Sequence, residues 1–294
     1  MTEAGRSGPT GIDLKALVTP GNVALLIGLG ALAVPTIAGL GGQVWSTEAG
    51  AHGPIVLAVG AWLLVRGLAE AKPLMRLGLP ALVFAGLLLS LAFYVFGRAF
   101  DFISLEVAGL YGASVALLYS RIGLRALTKV WFPVGYLAFL VPPPGWLIDH
   151  ITAPLKQFVS WVSTAALSGV GIPVSREGVT IYVGSYQLLV EDACSGMNSM
   201  VGLIAVSLLY IYLLRGPYLR YAAVLTAATI PIAVLGNIIR IMTLILLTHF
   251  WGDEVAQGFL HVTAGLFLFA VTLILVFGVD QLFWRFVPKS WKQS

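Results

Sequence analysis

The sequence predicts an all-α polytopic membrane protein of about eight transmembrane helices, with outer interfacial helices and a short β-hairpin before the sixth span. Three observations predict it. Hydrophobic residues fill 59% of the 294 positions and charged residues only 10%, where a soluble domain carries roughly 25% charge. Apolar runs long enough to cross a hydrocarbon core of about 30 Å recur along the chain. Basic residues gather in alternate connections between those runs, as loops on one side of a membrane do.

The spans read as roughly 22–40, 54–70, 77–97, 102–120, 128–142, 195–214, 220–248 and 259–279. The first has no small-residue cleavage site after it and reads as a retained span. The fifth is short and runs into Val141-Pro-Pro-Pro-Gly145, where successive prolines end a helix. The seventh exceeds the roughly 20 residues a bilayer needs, so one end projects into water or the helix tilts. One transmembrane domain over 22–280 follows, flanked by a cytoplasmic segment 1–21 and a basic cytoplasmic tail 281–294.

Orientation comes from the basic residues. The N-terminal segment, the second-to-third, fourth-to-fifth and sixth-to-seventh connections and the tail hold thirteen of the seventeen Lys and Arg residues. Only Arg98, Lys156 and Arg176 fall in the opposite connections, and Arg240 is left inside a span. Both termini are thereby expected in the cytoplasm. A net charge of +4 reports this topology rather than a nucleic-acid partner, and the lipid bilayer is the expected surroundings.

Residues 143–194 form the long outer connection. Residues 145–169 mix apolar and polar side chains with two Trp, and read as one or two interfacial helices broken near Pro154. In residues 179–190, two β-rich runs flank Gly184-Ser185, a pair suited to a tight hairpin turn. The hairpin leads into Glu191, Asp192 and Cys194.

Cys194 is the single cysteine of the chain, which excludes an intrachain disulfide and a thiolate metal cluster. It falls where the sixth span begins, and the first turn of a helix stabilises a thiolate. Ser195 suits a helix cap, and Gly196 permits close backbone approach. A lone cysteine is more often a small buried residue. Arg240 costs at least about 2.5–3.5 kcal/mol inside a span and so needs a partner or a role. It is nearly the only ionisable residue deep in a span, and Asn237 shares its helix face. About 30 Å of helix separates it from Arg220, which puts it near the outer boundary. Its structural alternatives are an ion pair with Asp192 or Glu191, or snorkelling to headgroups. His261 opens the eighth span on the same side, where an imidazole near a thiol generates a thiolate. His249 and His150 compete for that role, with His52 more distant. A Cys, an Arg and a His thus fall at the outer ends of three consecutive spans.

Ala-Cys-Ser-Gly-Met-Asn-Ser-Met at 193–200, Gly-Asn-Ile-Ile-Arg-Ile at 236–241 and His-Val-Thr-Ala-Gly at 261–265 resemble the three signature blocks of the exosortase/archaeosortase family. The resemblance runs over about residues 60–280, with the blocks in order. These are membrane-embedded cysteine transpeptidases or proteases acting on PEP-CTERM-type sorting signals. The resemblance implies Cys194 as nucleophile, Arg240 as the cation facing the oxyanion and His261 as general acid and base, with no metal or cofactor. Asn198 departs from the Arg that many members carry, which bears on substrate subtype. The implied substrates are membrane-anchored proteins ending in a motif, a span and a basic tail. They would be processed at the outer face of a bacterial cytoplasmic membrane. A rival reading is a transporter or polysaccharide-export permease without covalent catalysis, to which Pro231 and Gly236 in the seventh span lend some weight. No matching half is visible in the sequence.

Overall fold

A computed structural model gives the structure and describes residues 20–47, 50–189, 200–215, 218–252, 254–255 and 264–286. The chain forms helices α1 (Pro20–Gln43), α2 (Gly53–Ala71), α3 (Pro80–Ala99), α4 (Ile103–Lys129) and α5 (Trp131–Leu137), the last continued by a 3-10 turn, Ala138–Leu140. Helix α6 (Gly145–Gly169) precedes strands β1 (Val174–Glu177), β2 (Thr180–Val183) and β3 (Tyr186–Leu189). Helices α7 (Met200–Arg215), α8 (Leu219–Trp251) and α9 (Ala264–Phe286) complete it.

Five helices among the described residues are long and apolar enough to cross a membrane, and they correspond to the first, second, third, fourth and seventh expected spans. Their outward faces carry large exposed apolar side chains such as Ile27, Phe84 and Ile230, which suit lipid rather than water. The expected fifth span is only the short α5 with its 3-10 turn, and the sixth is the 16-residue α7. The count of eight full-length spans is therefore not reproduced, although a helix stands at each expected position.

Helices α3 and α4 form a tight antiparallel hairpin. A Cβ on Gly109 would run into the backbone of Tyr94, so the two helices meet backbone to backbone. Helix α4 extends past the expected end at 120 to Lys129, with a kink at Gly123, whose φ is +69°. Beside it, Val56 and Leu63 of α2, Phe132 and Tyr136 of α5 and Ala205 of α7 share one buried core. The rings of Phe132 and Tyr212 stack across α5 and α7 with centroids 3.7 Å apart.

Helix α6 departs from the sequence reading. It runs unbroken through Pro154. Val159 and Leu167 bury against Ala233, Ile241, Leu244 and Ile245 of α8, each side chain contributing roughly 1.5–3 kcal/mol when fully buried. Packing of this size offsets the backbone hydrogen bond that a proline forfeits, about 3 kcal/mol.

The expected hairpin forms with Val183 opposite Tyr186, leaving Gly184-Ser185 as the two-residue turn. Gly184 has φ +59°, the left-handed region that glycine enters without cost. A third strand, β1, pairs antiparallel to β2, making a three-stranded sheet in the order β1-β2-β3. The sheet buries Ile181, Val183 and Leu188 on α6 and α8. At 33 residues, α8 is about 50 Å long and exceeds the hydrocarbon thickness. The sheet covers its later half.

Candidate functional site

The site is built on α7, α8 and α9, which pack mutually. These three helices carry, or directly follow, the three sequence blocks containing Cys194, Arg240 and His261. Helix α8 turns one polar stripe inward. Thr229, Asn237, Arg240 and Thr248 are all essentially buried, Arg240 at 0% exposure. The spacing follows the 3.6-residue period, so they lie along one face. Asn237 and Arg240 are both engaged in interactions, as a fully buried cation requires. Arg240 stands about 32 Å along α8 from Leu219, one turn short of Leu244, which the sheet cluster buries.

Register among the three helices is set at the opposite end. Asp280 of α9 is fully buried. Its carboxylate accepts hydrogen bonds from the Tyr210 hydroxyl of α7 at 2.9 Å and from the Tyr221 hydroxyl of α8 at 2.9 Å. Arg240 is nineteen residues beyond Tyr221, about 28 Å of helix at 1.5 Å per residue, and α9 begins at Ala264, sixteen residues or about 24 Å before Asp280.

Cys194, Ser195, Gly196, Asn198 and His261 lie outside the described residues. Of the competing histidines, His150 is exposed, with Nδ1 2.9 Å from the Trp146 carbonyl oxygen. His249 is exposed beside the Phe250 ring. His52, the more distant candidate by sequence, is the one set against α7. A Cβ at Gly202 would lie 3.0 Å from the His52 Cγ.

Two buried carboxylates were not expected. Besides Asp280, Glu106 at the start of α4 is 4% exposed. It accepts a hydrogen bond from the Thr36 hydroxyl at 2.6 Å and pairs with Arg98 at 3.1 Å, tying α1, α3 and α4 together. Arg240 is therefore not nearly alone among buried ionisable residues. The sequence signal was present, since each carboxylate interrupts an apolar run, but its partners are as many as 70 residues away.

The fold and the site define a polytopic membrane protein that buries a cation on one of three interlocked helices. The chain matches the family model for transmembrane exosortases over residues 44–278, and it belongs to that family. No curated protein and no solved structure matches it.

Proposed function

We propose that this protein is a membrane-embedded cysteine transpeptidase that cleaves the C-terminal sorting signal of membrane-anchored proteins and transfers the remainder to an acceptor. The observation that carries the reading is the full burial of Arg240 on a helix packed between the two helices that adjoin the Cys194 and His261 blocks. Family membership supports it. The Cys194 thiolate attacks the scissile carbonyl, forming a C–S bond. Arg240 stabilises the oxyanion, and Asn237, buried one turn away, helps to hold its guanidinium. His261 protonates the leaving amine as the C–N bond breaks. An acceptor nucleophile then attacks the thioester, giving up its proton to His261, and releases the thiol.

The working face is the sheet end, directed to the cell exterior, with both termini in the cytoplasm. The basic connections support that orientation. The β3 edge offers backbone groups to which an extended substrate strand can add. Mass spectrometry of membrane-protein C-termini in the native host tests the proposal. A Cys194→Ala strain should retain uncleaved proteins that end in motif, span and basic tail. Full processing in that strain would sink the mechanism.

A further inference from the structure

At the sheet end, the end of α1, the start of α2, the end of α5, the start of α6 and the first turn of α7 enclose a cavity of about 100 Å³. We propose that this cavity, walled by Trp45, His52, Leu140, Pro142, Ile148 and Val201, receives one compact apolar side chain of the polypeptide substrate. The proposal rests on Cys194 being the nucleophile.

The walls are shaped by two glycines. A side chain on Gly53 would run into the Trp45 indole, and one on Gly202 would press on the His52 ring. Glycine at both positions lets the two rings close against α2 and α7. The named wall residues are half-buried, so the cavity opens at the surface. Val201, in its wall, is the second residue of α7 and follows Cys194 by seven residues. Seven residues of chain reach at most about 25 Å, so a substrate held at the thiol can extend to this opening.

Size and polarity select the occupant. A dry cavity of about 150 Å³ takes a benzene ring, so about 100 Å³ suits a valine-sized group and excludes a phenyl ring. The wall is mostly carbon, and a charged side chain entering it would lose its hydration.

The probes are acetyl-dipeptidyl chloromethyl ketones with glycine, valine or phenylalanine at each position in turn. Each alkylates the Cys194 thiolate as the C–S bond forms and chloride leaves. With the full chain in nanodiscs, second-order rates are read by intact mass. At one of the two positions, valine should outpace both glycine and phenylalanine by about tenfold or more. Leu140→Ala should then admit phenylalanine, a gain that a misfolded variant cannot produce. Val44→Phe, which fills the cavity, should bring the valine-to-glycine ratio to about one. No side-chain preference, or the same preference in all three proteins, overturns the subsite. If iodoacetamide and every ketone react slowly, at rates that Arg240→Met and His261→Ala leave unmoved, the nucleophile reading falls and the subsite with it.

Discussion

Replacing Tyr221 with phenylalanine removes one oxygen from the buried cluster that joins α7, α8 and α9. That hydroxyl donates to Asp280 Oδ1 at 2.9 Å and lies 3.1 Å from the Asp280 carbonyl oxygen. Tyr221 is 2% exposed and Asp280 0%, so water does not readily replace the lost donor. Leaving a buried acceptor short of its donor costs about 1–3 kcal/mol, and a cost near 2 kcal/mol is expected. Tyr210 donates to the other carboxylate oxygen at 2.9 Å but is only half-buried, so Tyr210→Phe should cost about 1 kcal/mol. The double variant removes two donors from one buried carboxyl group and should cost at least the sum of the two singles, about 3–5 kcal/mol. Reversible unfolding by SDS in mixed micelles measures all three. A Tyr221→Phe protein within about 0.5 kcal/mol of the parent, the range of an ordinary surface substitution, would refute the clamp.

Arg240→Lys keeps the charge but loses the planar fork, and should lower substrate turnover by about 10²–10³-fold, measured as precursor processing at matched protein levels. Glu106→Ala removes the partner of Thr36 and Arg98. It should destabilise the α1–α3–α4 corner by about 2–4 kcal/mol in the same SDS titration, Arg98 being partly exposed and so contributing the smaller part. Gly109→Val drives a branched side chain into the Tyr94 backbone and should part the α3–α4 hairpin. Size-exclusion chromatography of a detergent extract would then show aggregated protein, whereas Gly41→Val, which meets nothing, should elute like the parent.

Much of this fold is legible because a bilayer imposes a simple rule, that apolar length makes a span. The positions of α1 to α4 and α8 follow from it. The β2–β3 hairpin was readable because Gly184-Ser185 sits between two β-rich runs, a local signal. Strand β1 was not, since Val-Ser-Arg-Glu carries no apolar alternation and takes its strand form by pairing with β2. The unbroken α6 escaped notice because Pro154 weighs against a helix locally, while the α8 surface that holds it lies some 75 residues on. The site divides in the same way. Arg240 announced itself as a charge in an apolar run, and Asn237 followed from helix spacing. Asp280 and Glu106 are also charges near such runs, but at span ends, where solvated residues are common. Only the fold brings Tyr210 and Tyr221 to Asp280. Nor does the sequence relate His52 to Gly202, 150 positions apart.

The central claim is that Arg240 and His261 activate Cys194 as a nucleophile. The rate of Cys194 alkylation by iodoacetamide at neutral pH tests it most directly, in the full chain and in its Arg240→Met and His261→Ala variants, since only the thiolate reacts. The parent rate should exceed that of each variant by about tenfold or more. Equal, slow rates in all three proteins would contradict the account.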